Sequence, residues 1–189
     1  MSAVTARDRR TASNTQPLDP SFGAVAIWAI SATLAIAVLA AIVGAPLIQS
    51  LGHPAFAFKI YRAFSFVCHQ IPDRSFHLAG YKFAVCSRCT GIYSGLALAT
   101  LSYPLVRSLK QPVTPNLILL FVAVAPLAID WSLGYFSVWQ NNHVSRFSTG
   151  ALFGATAVFY ILPGLIELSY RLSGALLQKR LSIGRSNAK

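Results

Sequence analysis

The stretch Phe22–Ile48, FGAVAIWAISATLAIAVLAAIVGAPLI, decides the fold class. It runs for 27 residues without a charged side chain. A helix needs about 20 apolar residues to cross the hydrocarbon of a bilayer, so this run spans with some to spare. It is also about twice as long as the roughly 7–15-residue core of a signal peptide, and a polar segment precedes it. A retained helix is therefore expected in place of a cleaved leader. Three more apolar runs follow. Gly91 to Val106 is short and reaches spanning length only if it begins near Arg88. Asn116 to Phe136 is interrupted by Asp130, and Ser148 to Leu168 closes at Glu167. The runs are continuous and do not alternate, which argues for helices over a barrel. The expectation is an all-α integral membrane protein. It is a four-helix transmembrane bundle with a Cys/His-containing extramembrane loop between spans 1 and 2.

Composition agrees. Apolar residues make up 54% of the 189 and charged residues 11%, against about 25% charged in a soluble domain. One membrane domain is expected over residues 21–169. Residues 1–20 are rich in Ser, Thr, Asn and Pro and read as a disordered cytoplasmic tail. Residues 170–189 read as a basic amphipathic tail on the inner surface. The net charge of +11 would suggest nucleic acid in a soluble protein. Here the bases sit in tails and loops between apolar runs, so the lipid bilayer is the expected partner and nucleic acid is not.

The same charges set an orientation. With the N-terminus inside, Arg7, Arg9, Arg10, Arg107, Lys110, Arg171, Lys179, Arg180, Arg185 and Lys189 are cytoplasmic, 10 in all. Lys59, Arg62, Arg74, Lys82, Arg88 and Arg146, 6 in all, lie outside. That bias predicts a multi-pass protein of the cell membrane with both termini cytoplasmic. Alternation of four spans puts the loop before span 2 and the loop between spans 3 and 4 on one side.

The first of these loops holds all three cysteines, in the order Cys68-x8-His77-x8-Cys86-x2-Cys89. Three thiolates and one imidazole form a common tetrahedral zinc set, with the Cys-x2-Cys pair giving two sulfurs from one tight turn. His69 is an alternative fourth ligand, although neighbours such as Cys68 and His69 point apart in regular structure. The pair sits where span 2 begins, and a helix N-terminus favours the thiolate. Three readings stay open: a site for zinc or another thiophilic metal, redox-active thiols or a disulfide, and small buried residues without chemistry. Thr90 stands directly after Cys89 where a c-type haem site has histidine, which disfavours that reading.

Asp130 is the only acid inside the third run. Intramembrane acids usually face a cavity or a partner, and Arg146 is the partner expected. Asp130, Asn142, His143 and Arg146 then either complete a pocket over the thiols or form a structural ion pair fixing two helix ends. Arg74, with Ser75, offers a guanidinium fork for an anion, and Arg88 adds positive charge beside the thiols.

The elements Cys68-His-Gln-Ile-Pro-Asp-Arg-Ser-Phe76 and Cys86-Ser-Arg-Cys-Thr-Gly-Ile-Tyr-Ser-Gly95 resemble a prokaryotic family of small multi-spanning membrane proteins, domain-of-unknown-function family 2085. Asp130 and Asn142-x3-Arg146-x2-Thr149-Gly150 are similar to its second half, so the likeness covers about residues 60–160. It implies a helical integral membrane protein and implies no activity.

The functional classes in competition are therefore a metal-binding membrane protein, a membrane thiol-disulfide oxidoreductase using Cys86 and Cys89, and a non-catalytic scaffold or accessory subunit that binds a membrane protein partner or forms a homo-oligomer. Gly-x-Ser-x-Gly and His-Glu-x-x-His are absent, which removes the common hydrolase signatures.

Overall fold

A computed structural model describes the backbone of residues 20–110 and 113–186, and the side chains of residues 23–110 and 113–175. The uncharged first run is a single helix, α1 (Pro20–Ser50). A short helix α2 (Pro54–Ser65), a 3₁₀ turn (Pro72–Arg74) and a hairpin of β1 (His77–Leu78) and β2 (Tyr81–Lys82) fill the following loop. Then come α3 (Ser87–Val106), α4 (Leu117–Tyr135) and α5 (His143–Ser186). Among the described residues four helices are long and apolar enough to span, with α5 counted over His143–Ala175. The short second run reaches 20 residues because α3 begins at Ser87 and takes in Arg88. The backbone of residues 170–186 continues α5 without a break. The tail expected over residues 1–20 lies outside the described residues except for Pro20, and so do the side chains of Lys179, Arg180, Arg185 and Lys189.

The bundle is built on α3 against α5, and glycine sets their separation. A Cβ on Gly91 or Gly95 would overlap the carbonyl of Phe147 or of Ala151. A Cβ on Gly150 or Gly154 would overlap the carbonyl of Arg88 or of Ile92. Each helix thus presents two glycines four residues apart, and each pair receives the other's backbone. Lipid-embedded helices gain little from apolar burial against each other, so close backbone approach is what favours their association. Tyr103, Val158, Leu162 and Ile166 continue the contact as a buried core with Ala24 of α1.

Prolines explain how the rest attaches. Pro46 has no N–H to give to the carbonyl of Ile42, one helical turn back. The N–H of Ala84, in the loop before α3, donates to that carbonyl at 3.2 Å. Pro104 likewise frees the carbonyl of Thr100, and the indole Nε1–H of Trp28 donates to it at 2.7 Å. Two helix defects are therefore completed by groups from elsewhere in the chain, and both bonds join α1 to the α3 region. Trp28→Phe is expected to cost about 1–2 kcal/mol by leaving an apolar-embedded carbonyl unserved. In a Pro104→Ala background the new N–H serves Thr100, and the cost of Trp28→Phe should largely vanish. Unfolding midpoints of the four proteins in detergent check this cycle, and an equal Trp28→Phe cost in both backgrounds would refute it.

The ends of α4 and α5 are set by asparagines. The Asn116 side chain accepts the N–H of Ile118 at 3.0 Å, and Tyr160 of α5 donates to the Asn116 carbonyl at 2.8 Å. Asn142 accepts the N–H of Ser145 at 2.7 Å, the usual geometry of an N-cap.

Candidate functional site at the cysteine end of the bundle

The loop from α2 to α3 is held by polar bonds to its own backbone. Tyr61 of α2 donates to the carbonyl of Lys82 at 2.5 Å, and burial raises its phenol above the ordinary range. The Gln70 side chain donates to the carbonyl of Tyr61 at 2.6 Å, while Lys82 Nζ donates to the carbonyl of Gln70 at 2.5 Å. The hairpin turns through Ala79 and Gly80, both at positive φ (52° and 83°), as a two-residue turn between right-twisted strands requires. Gln70 also has positive φ, 52°. That uncommon conformation for a side-chain-bearing residue points its N–H at Cys68 Sγ, 3.5 Å away.

The sulfurs of Cys68, Cys86 and Cys89 all lie within 4.8 Å of one another, and all three cysteines are free thiols. Cys68 is buried, while Cys86 and Cys89 are half-buried. Besides Gln70, the N–H of Cys86 donates to Cys68 Sγ at 3.2 Å. Cys86 is the residue immediately before α3. Its thiol is held below the ordinary range, first by hydrogen bonds from the Cys68 and Cys89 thiols and then by the N–H groups of Cys89 and Arg88. Ile42, Val85, Phe64 and Tyr93 form an apolar floor under the cluster. Chemically, this is a trio of soft donors, one of them biased toward the thiolate, on a dry floor.

A cavity of about 440 Å³ opens over the sulfurs. Its wall includes the three cysteines, His69, Asn141 and the arginines Arg74, Arg88 and Arg146. Trp131 and Tyr135, stacked at 5.2 Å on the last turn of α4, form part of the rim.

The structure sorts the residues singled out in the sequence. His69 lines the cavity with the cysteines and His77, on β1, does not; both are exposed, and neither is in the group of close ligand atoms, which is formed by the three cysteines. Asp130 pairs with Arg88 and not with the expected Arg146. The reason is geometric: Arg88 and Arg146 both reach this end of the bundle, and the arrangement of α3 and α4 brings Arg88 onto Asp130. The other pocket candidates divide. Arg74, Arg88 and Arg146 line the cavity, while Asn142 and His143 do not. Asn142 caps α5. His143 Nδ1 lies 2.6 Å from the Ser87 hydroxyl, which donates to the carbonyl of Arg74 at 2.8 Å. Ser87 has one proton to give, so with it on Arg74 the imidazole donates from Nδ1. The His143 ring packs on Phe76, which also meets Phe83 and Phe147, and this aromatic group clamps the loop to α5.

Sequence reasoning missed Asn141, Ser87 and the four glycines. Asn141 donates to the backbone carbonyl of Asp130 and is largely buried. Nothing in an Asn-Asn pair tells which member caps and which lines a cavity. The glycines were detectable, because Gly-x3-Gly in an apolar helix marks close packing.

Comparison with known proteins gives a consistent picture. The model of a family described as a predicted membrane protein (DUF2085) matches residues 68–160. An uncharacterized protein of Methanocaldococcus jannaschii is 39% identical over 112 residues, covering 59% of this chain and 72% of its own. Another, from Methanothermobacter thermautotrophicus, is 36% identical over 105 residues, covering 54% and 93%. No solved structure matches the chain significantly.

Proposed function

The chain belongs to the DUF2085 family of predicted membrane proteins, and from that premise we propose that it holds a zinc ion through Cys68, Cys86 and Cys89 at one end of its bundle. The supporting observation is the approach of three free sulfurs to within 4.8 Å of one another. Tetrahedral zinc with Zn–S bonds near 2.3 Å needs sulfurs about 3.8 Å apart, so small side-chain rotations would complete the set. His69, on the same cavity wall, is the candidate fourth donor, and a water or substrate group is the other occupant that position admits. The charge bias of the loops supports an outward-facing position for this end of the bundle. Bound there, zinc would tie the loop after α2 to the start of α3 and would supply a Lewis acid at the floor of the cavity.

Elemental analysis of full-length, tag-free protein in mild detergent tests the reading. About one zinc per chain is expected, falling below about a tenth in Cys86→Ser. His69→Ala should weaken retention against a chelator by about tenfold or more, while His77→Ala should not. Native protein without zinc would overturn the proposal. If such protein also cycled Cys86 and Cys89 between dithiol and disulfide with a quinone, the oxidoreductase reading would replace it.

A further inference from the structure

The cavity has a second character that a metal does not use. Arg74, Arg88 and Arg146 reach it from three different elements, the 3₁₀ turn, α3 and α5. Arg88 is paired with Asp130, and among the described residues Arg74 and Arg146 have no acidic partner. Arg88 also keeps a buried Nε–H without an acceptor. Like charges gathered on one wall repel each other unless an anion is shared among them. Even with zinc bound by three thiolates, guanidinium charge at this mouth exceeds the combined negative charge of that centre and Asp130.

We propose that this cavity binds a phosphate monoester, with its oxygens shared among Arg74, Arg88 and Arg146. A carboxylate has two oxygens, which one guanidinium fork can saturate, whereas three guanidiniums suit the three free oxygens of a phosphate monoester. The volume of about 440 Å³ lies in the range of organic ligands and leaves room beyond a phosphate ion for an ester group. Trp131, Tyr135 and Ile71 offer that group an aromatic and apolar wall. Trp131 and Tyr135 are exposed at the end of a spanning helix, where such residues mark the headgroup level of a bilayer. The monoester is therefore either the headgroup of a lipid such as phosphatidic acid or a soluble ester arriving from water. The assignment goes beyond the zinc reading and does not depend on it.

The full-length protein in phosphatidylcholine nanodiscs is titrated with phenyl phosphate, followed by tryptophan fluorescence and calorimetry. Saturable binding is expected, weakened about tenfold or more in Arg146→Gln and in Arg74→Gln, with the zinc content of both variants equal to native. Phosphatidic acid added to the discs identifies the source. Competition with phenyl phosphate assigns the site to the lipid headgroup, and lack of competition assigns it to a soluble ester. Zinc-free Cys86→Ser protein that still binds phenyl phosphate supports the site whatever becomes of the zinc reading. Native protein that binds neither probe, or binding unchanged in both arginine variants, overturns the proposal.

Discussion

Gly95→Leu is expected to prevent the bundle from assembling. The new side chain would start inside the backbone of α5, against the carbonyl of Ala151 and the N–H of Ala155. Backbone in a helix cannot step aside as the far end of a flexible side chain can, so α3 and α5 must part along their length. Overpacking of a tight contact costs about 1–3 kcal/mol when the neighbours can adjust, and more when they cannot. A loss above about 3 kcal/mol is therefore expected, with little folded protein recovered from membranes. Gly164→Leu is the control, since a Cβ there meets nothing within 4 Å, and it should unfold like the native chain. Equal unfolding midpoints for the two variants in detergent would show that the glycine contact does not set the packing. Arg88, Cys86 and Cys89 sit at the start of α3 and Arg146 at the start of α5, so a milder Gly95→Ala variant should disturb the cavity as well as stability.

Asp130→Asn ranks second in expected effect. The Asp130 and Arg88 side chains are only 10% and 20% exposed. Removing the carboxylate strands a guanidinium in a poorly solvated place, and breaking a buried pair in this way costs about 3–5 kcal/mol. Arg88 borders a cavity, which lets some water reach it, so a loss of about 2–3 kcal/mol is expected here. Arg88→Met with Asp130→Leu removes both charges together and should recover most of that loss, because the desolvation cost disappears with the pair. Chemical unfolding in detergent distinguishes the cases. A single variant as stable as the native protein would mean that the pair contributes no stability.

The spans were legible because bilayer thickness imposes a length, and α1, α3, α4 and α5 fall where the apolar runs lie. α2 was not, since its 12 residues carry Lys59 and Arg62 and are too few for a span. The cysteine cluster was legible because the chain's three cysteines all fall between residues 68 and 89. Where the two histidines lie relative to it was not, since the backbone turn at Gln70 and the hairpin at Ala79–Gly80 decide where His69 and His77 go. The partner of Asp130 depends on which helices sit face to face, and sequence separation carries little of that. Asn142 and His143 looked like pocket residues because they are polar beside Arg146, yet capping a helix and bonding Ser87 use the same polarity.

The two carbonyls released by Pro46 and Pro104 bear on how the protein is made. Synthesis delivers α1 to the membrane before the loop of Ala84 and before α3 exist. Until then the carbonyl of Ile42 has no donor, and the indole N–H of Trp28 has no acceptor. The first span thus enters lipid unfinished, and it is finished only by chain that leaves the ribosome later. Membrane insertion and tertiary assembly are in this way coupled steps, and α1 is completed only once α3 has followed it.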